Sequence, residues 1–513
     1  MIENNLKLEI DGKIILNNIS FKINLNEKVG LVGKNGSGKT SLLKTIHEKN
    51  KKTSYLKQEI EDKYYNLSIT EYIKTVTNLK LIEEKLNHLS FNLNDNNIKE
   101  YNKILNEYLI LDGYNFENNI NTIKNGLKLN KSLNTKINEL SGGEKIKVLL
   151  IQVLLENKDI LLLDEPTNNL DSEAIIWLEN YLKKTKKTII IVSHDEVFLN
   201  NIVSKIFELK DGYLKEYNMS YNDYLILKEN DYKKEKEEHL RIKNMKKDLK
   251  EELEKAKRWV NIGNNKRKNN DNDKIANNYK KEKTNTSNIK RLTKIIENTN
   301  IPTFEEKPKL NIFFMQNNDK GNKDIILKDL VCGYKNFRTK SISAVIPFKS
   351  KVRINGKNGS GKTTLVKTIV NEIKPISGEI ILGTKVNIGY ISQNTLNNSE
   401  QSIIEFVTDN QKEIDYTKLY TLLDKLNIKY ENKDKKYYKL SPGERTRINI
   451  AKLIINNINI LILDEITNHL DKEALELIYE LINTFNGTII SISHNRKFNE
   501  ILNANIIIDL DKD

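Results

Sequence analysis

The stretch Lys28-Val29-Gly30-Leu31-Val32-Gly33-Lys34-Asn35-Gly36-Ser37-Gly38-Lys39-Thr40-Ser41-Leu42-Leu43-Lys44-Thr45-Ile46 decides the fold. It runs from an apolar, strand-like segment through a glycine-rich loop into a helical segment. Glycines let successive backbone N–H groups turn inward around a phosphate, and the following helix N-terminus favours negative charge. Lys39 can reach the outer phosphates of a nucleotide, and the Thr40 hydroxyl suits Mg2+. The loop recurs unchanged as Gly356-Lys357-Asn358-Gly359-Ser360-Gly361-Lys362-Thr363. The chain carries the device twice.

Working outward, three more motifs repeat. Leu140-Ser141-Gly142-Gly143-Glu144 returns as Leu440-Ser441-Pro442-Gly443-Glu444, and Leu163-Asp164-Glu165-Pro166-Thr167-Asn168 as Leu463-Asp464-Glu465-Ile466-Thr467-Asn468. Ser193-His194 returns as Ser493-His494, and all three pairs share an offset of 300. Four motifs twice in one order define a tandem α/β repeat. The register slips in two places. Gln58 to Leu140 spans 82 positions but Gln393 to Leu440 only 47, so the first half carries about 35 extra residues with helical apolar spacing, expected within Thr70–Leu111. Lys39 to Gln58 spans 19 positions against 31 from Lys362 to Gln393, so the first half is trimmed there.

Composition bounds the rest. The 513 residues hold 84 Lys+Arg against 70 Asp+Glu, a net of +14, although a chain so rich in Lys, Asn and Ile owes part of that charge to composition alone. Cys332 is the single cysteine, which excludes intramolecular disulfides and multi-cysteine zinc sites. No apolar run of about 18 residues exists to span a membrane, and Met1–Asn5 lacks a signal-peptide layout. Positions 231–300 concentrate the surplus, with 21 Lys+Arg against 12 Asp+Glu. Apolar stripes at Ile242, Met245, Leu249, Leu253, Ala256 and Val260, and at Ile275, Tyr279, Ile289, Leu292 and Ile296, flank the turn-forming Asn261–Asp273. Two antiparallel helices with a basic tip at Lys266, Arg267 and Lys268 are expected, the first running from about Tyr221 to Ile262. A disordered charged linker is the alternative.

The chemistry follows from the strand ends. Asp164 and Asp464 end apolar strands where a carboxylate can meet the metal, and Glu165 and Glu465 come next, placed to polarise an attacking water. Ser141 and Ser441 would start helices whose N-termini favour an anion supplied by the other half. Two ATP molecules buried head to tail between the halves satisfy both requirements, with closure depending on the γ-phosphate.

The motif sets GKNGSGKT, LSGGE, DEPTNNLD and SHD, then GKNGSGKT, LSPGE, DEITNHLD and SHN, resemble the ATP-binding cassette superfamily. Two cassettes with a charged helical linker and no membrane segment resemble its ABC-F family of ribosome-associated ATPases. The resemblance implies an α/β chain of two tandem P-loop NTPase cassettes joined by an antiparallel helical hairpin. The domains would be 1–218 (with an arm at about 70–111), 219–302 as the linker, and 303–513. It implies ATP contacts from Gly33 to Ser41 with Gln58, and from Gly356 to Thr364 with Gln393. The signature residues Ser141, Gly143, Ser441 and Gly443 would complete the sites. Mg2+ would be served by Thr40, Gln58, Asp164, Thr363, Gln393 and Asp464. Glu165, Glu465, His194 and His494 would be catalytic, and Asp171 and Asp471 match the D-loop. Tyr334 is available to stack on adenine in the second half, with no clear counterpart in Glu3–Ser20.

Three departures bear on the second cassette: Pro442 for a signature glycine, Ile466 for proline, and Asn495 for aspartate after the histidine. Within the family, the modest length, the long linker and the lack of a C-terminal extension resemble the antibiotic-resistance group. A cytoplasmic monomer is then expected, with its cassettes paired intramolecularly. It would bind the ribosome at the tRNA exit site, contact exit-site tRNA, and reach large-subunit RNA near the peptidyl-transferase centre. The alternatives are a housekeeping ABC-F translation factor and the ATPase subunit of a transporter with separate membrane partners.

Overall fold

The computed structural model describes residues 2–10, 12–34, 36–91, 94, 97–267, 275–302, 304, 323–334, 337–357, 359–392, 399–408, 415–426, 428, 434–467, 470 and 472–511. The chain divides into two compact units, Met1–Tyr221 with Lys309–Asp513, and Asn222–Pro308.

The first unit holds both repeats. In the first, six strands run in the order Thr53–Tyr55, Ile160–Asp164, Thr188–Val192, Lys28–Val32, Lys205–Lys210 and Tyr213–Tyr217. All neighbours are parallel except the last pair. Strands 160–164 and 188–192 are buried at every position. That is why they read as continuous apolar runs and not as alternating ones. The loop helix Lys39–Lys49 sets Leu42, Leu43 and Ile46 into the core with Leu31, Leu162, Ile190 and Phe207. An antiparallel pair, Ile2–Ile10 with Lys13–Lys22, adds Leu6, Leu16, Ile19 and Phe21.

The second repeat has five parallel strands in the order Ile388–Ser392, Ile460–Asp464, Thr488–Ile492, Lys351–Asn355 and Ile506–Asp509. Its antiparallel layer has three strands, Ile342–Ile346, Ile325–Val331 and Ser377–Leu382. The third lies between Lys362 and Gln393, so the trimmed interval of the first repeat amounts to a missing strand. Helix Ile69–Val76 has its counterpart in Ile403–Thr408, each led by a serine that bridges to a lysine, Ser68 to Lys136 and Ser402 to Lys436. The extra residues of the first repeat form the two helices that follow, Leu79–Phe91 and Ile98–Ile110. Leu79 and Ile104 are the buried residues of the latter two helices.

The second unit contains helix Tyr221–Arg267, 47 residues and so about 70 Å long, and helix Ile275–Asn298. The chain leaving the latter runs back along the former. Lys246 Nζ donates to the Thr299 carbonyl at 2.8 Å, His239 Nδ1 lies 2.8 Å from the Pro302 carbonyl, and the Tyr232 and His239 rings pack on Phe304. These pairings run antiparallel. The first helix continues past its expected end at Ile262, and its described part runs to Arg267. Lys268 lies outside the described residues.

Candidate functional site

Each glycine loop closes on a residue in the left-handed region, Gly38 at φ +96° and Gly361 at φ +97°. A Cβ there would stand 2.6 Å from Ile15 Cγ2 or Thr339 Cγ2, so both conformation and space demand glycine. Lys39 Nζ donates to the carbonyls of Gly33 and Lys34 at 2.8 and 3.0 Å. Lys362 Nζ makes the same bonds to Gly356 and Lys357 at the same distances. The buried hydroxyls of Ser37 and Ser360 have no hydrogen-bond partner among the described residues. Buried groups left so are costly, and an oxygen-rich ligand group such as a phosphate would satisfy them.

The Thr40 hydroxyl donates to Asp164 Oδ2 at 2.7 Å, and the Thr363 hydroxyl to Asp464 Oδ1 at 3.3 Å. Each pair, a hydroxyl beside a carboxylate, has the hard oxygen donors that fit a Mg2+ shared with phosphate oxygens. Sequence reading missed a third donor: the Tyr390 hydroxyl bonds Asp464 Oδ2 at 3.2 Å. Tyr55 stands in the same register before Gln58 as Tyr390 before Gln393, which was a readable signal.

Glu165 and Glu465 both adopt a left-handed backbone, φ +50° and +49°, donating their N–H groups to the carbonyls of Val192 and Ile492 at 2.8 and 2.9 Å. Such strain in non-glycine residues gathers at functional sites. The Glu165 side chain keeps 22% of its surface, yet dense protein around the carboxyl pushes its pKa up to about 8, with the Asp164 charge adding to the effect of burial. Glu465 is raised by burial against the opposing pull of Lys362. His194 donates its N–H to Glu165 Oε2 at 3.3 Å, and its Nε2 lies 3.5 Å from Oε1. His494 Nε2 is 4.0 Å from Glu465 Oε1, and burial followed by the Lys362 charge pushes its pKa down to about 4.

One cavity of about 920 Å³ joins the parts. From the first repeat it is lined by Gly36, Gly38, Lys39, Thr40, Ser41, Gln58, Asp164, Glu165 and His194, and from the second by Gly359, Gly361, Lys362, Thr363, Thr364, Glu465 and His494. Ser141 and Gly143 of the first repeat line it too, as do Tyr334 and the unforeseen Phe337. Where those aromatics stand in the second half, the first presents Ile15. Gly33, Lys34, Ser37, Gly356, Lys357, Ser360 and Asp464 belong to the loops and strand ends without lining the cavity, and Ser441 and Gly443 do not line it. Asn35, Asn358, Gln393, Asn468 and Asp471 lie outside the described residues.

The signature serines are helix N-caps in capping boxes. Ser141 Oγ accepts from the Glu144 N–H at 3.3 Å while Glu144 Oε2 accepts from the Ser141 N–H at 2.8 Å, and Ser441 with Glu444 repeats this. Pro442 takes the N1 position, where a missing N–H costs no intrahelical bond. Ile466 is buried in the core. Asn495 Oδ1 accepts from the Phe498 N–H at 2.9 Å as Asp195 Oδ1 does from Phe198 at 3.0 Å, so both cap the helix after the histidine. The three departures keep the local structure. Sequence reading also missed Lys147, buried in the signature helix with its Nζ 3.2 Å from the Lys128 carbonyl and 3.9 Å from Asp171 Oδ2.

Fold and site together define a tandem P-loop nucleotide-binding protein. The sequence profile of the family described as ABC transporter matches residues 16–168 and 339–468. The chain is 35% identical over 523 residues to the ATP-binding protein Uup of Buchnera aphidicola (subsp. Acyrthosiphon pisum), covering 96% of the chain and 78% of that protein. It is 29% identical to the ABC transporter F family member 2 of Arabidopsis thaliana, over 96% of the chain and 74% of that protein. Among solved structures, the complex of archaeal ribosomal stalk protein aP1 with ribosome recycling factor aABCE1 shares the fold. Its TM-score is 0.56 at 18% identity, covering 99% of the chain and 86% of that chain. The chain belongs to the ABC-F family of the ATP-binding cassette superfamily, and it is an ATPase.

Proposed function

We propose that the chain is an ATP-driven factor of the ribosome. The carrying observation is the shared cavity, in which the first cassette's Ser141 and Gly143 join the second cassette's loop. Two ATP molecules would lie head to tail, each held by one cassette's loop and lysine and by the other's signature helix. Ser441 and Gly443 would serve the first site on closure, and Tyr334 would stack on adenine at the second. Mg2+, where bound, would supply positive charge beside the phosphates at Thr40 with Asp164 and at Thr363 with Asp464; Gln58 and Gln393 would stand by it. Glu165 and Glu465 would polarise the attacking water, and His194 and His494 would sense the γ-phosphate.

The domains would be cassettes 1–218 and 303–513 around the linker 219–302. The basic surplus of that linker suits phosphate contacts with ribosomal and transfer RNA. In this reading the protein is a cytoplasmic monomer that enters the tRNA exit site. Its linker tip, at Lys266, Arg267 and Lys268, reaches toward the peptidyl-transferase centre and clears or reshapes an antibiotic site. A second reading, a translation factor indifferent to drugs, is favoured by the fold likeness to a structure containing a ribosome recycling factor. The transporter reading would need separate membrane partners, since no helix among the described residues is long and apolar enough to cross a membrane.

Expression in a drug-sensitive bacterium, challenged with lincosamides, streptogramin A, pleuromutilins, macrolides and phenicols, separates the first two readings. Protection that falls sharply when Asn264–Asp271 is replaced by a short glycine-containing turn, with ATPase activity kept, is the expected result. Growth unaltered by the protein under every drug would leave the translation-factor reading. Full protection by the tip-deleted chain would overturn the probe role of the linker.

A further inference from the structure

The two cassettes also meet beside the cavity, through the helices that follow His194 and His494. Arg496 Nη1 lies 3.0 Å from Glu179 Oε1, and Lys497 Nζ donates to Glu196 Oε2 at 2.5 Å. Glu179 is only 5% exposed, and its other oxygen accepts from Asn201 Nδ2 at 3.2 Å. A buried carboxylate of one cassette thus takes its cation from the other. Arg496 also draws on the nearby Asp195 carboxylate, and Lys497 sits 5.7 Å from the centre of the Tyr479 ring.

The 300-residue offset shows that this contact is not a symmetric accident. Glu179 corresponds to Tyr479, Asp195 to Asn495, Glu196 to Arg496 and Val197 to Lys497. The first cassette therefore presents three carboxylates where the second presents two cations and no carboxylate. The caps and buried strands of the two repeats match, yet over these four positions the first cassette sums to −3 and the second to +2. Separating the faces would break both ion pairs, Glu179 with Arg496 and Glu196 with Lys497.

We propose that Glu179, Glu196, Arg496 and Lys497 form a charge-coded clasp that pairs the first cassette with the second and holds them in register without nucleotide. Like faces brought together would repel, so the code also rejects first against first and second against second. The clasp stands on contacts within this chain and is independent of any ribosome partner.

A charge swap tests it in the full-length chain. Fluorescent dyes at Lys183→Cys and Asn483→Cys, on the two helices that carry Glu179 and Tyr479, report the distance between cassettes; the native Cys332 is buried. Single-molecule energy transfer in nucleotide-free buffer should give one close population for the parent. E179R/E196K and R496E/K497E should each move at least half of the molecules to a distant population. All four substitutions together should restore the close one. Because Glu179 is buried, E196K, K497E and their combination form a second set at the more exposed contact, with melting curves confirming that each variant folds. Unchanged transfer in the folded single-face variants, or a swap as open as its parents, would overturn the proposal. Loss of ribosome binding with the swap behaving as described would count against the ribosome reading alone.

Discussion

Glu165 and Glu465 stand one residue beyond the carboxylates that Thr40 and Thr363 hold, in the same strained backbone conformation. Burial raises the pKa of both against the pull of the loop lysine, Lys362 or Lys39, and Glu165 is pushed up to about 8. An acid whose pKa is raised from 4.5 in the folded state binds its proton more tightly there. Stability from this group is therefore full below about 4.5 and is lost as pH rises toward about 8. In metal-free, nucleotide-free buffer the loss should be on the order of 3 kcal/mol, allowing for the open side of the carboxyl. Glu165→Gln should flatten that slope, as read by chemical denaturation at pH 5 and pH 8. An unaltered slope would place the burden on another group. The Asp-Glu pair after an apolar strand was legible in the sequence. The strain and the burial were not, because they depend on Val192, a residue of another strand that accepts the Glu165 N–H.

At the scale of elements, the signature helices begin in the same capping box whether the third residue of the motif is Gly142 or Pro442. Pro442→Gly should lower stability by about 1 kcal/mol through the freer unfolded chain, change turnover modestly and leave partner binding intact. Thermal melting with an ATPase assay checks this, and loss of all activity would show that the proline has a role beyond its fit at N1. The Ser-x-x-Glu spacing announced these caps. Strands 28–32, 160–164 and 460–464 were legible because burial on both faces makes unbroken apolar runs. The third antiparallel strand, Ser377–Leu382, was not, since most of its side chains are exposed and carry no strong pattern. The continuation of the long helix past Ile262 was not legible, because an asparagine-rich stretch reads as turn.

For the whole molecule, the repeat offset disclosed two cassettes, and one cavity is lined by both loops and by Ser141 and Gly143 of the first signature. The ion pairs across the cassettes lay beyond reach, because Glu179 and Arg496 are far apart in sequence and belong to no motif. In the proposed function, closure on ATP is what holds this protein on the ribosome. It is tested most directly by sedimenting purified ribosomes with the Glu165→Gln/Glu465→Gln chain, which keeps both loops and both lysines but should not turn over. With ATP the variant should pellet in near-equal amount with ribosomes, and with ADP it should remain in the supernatant. Equal pelleting with ATP and ADP, or none with either while ATP binding persists, would contradict the account.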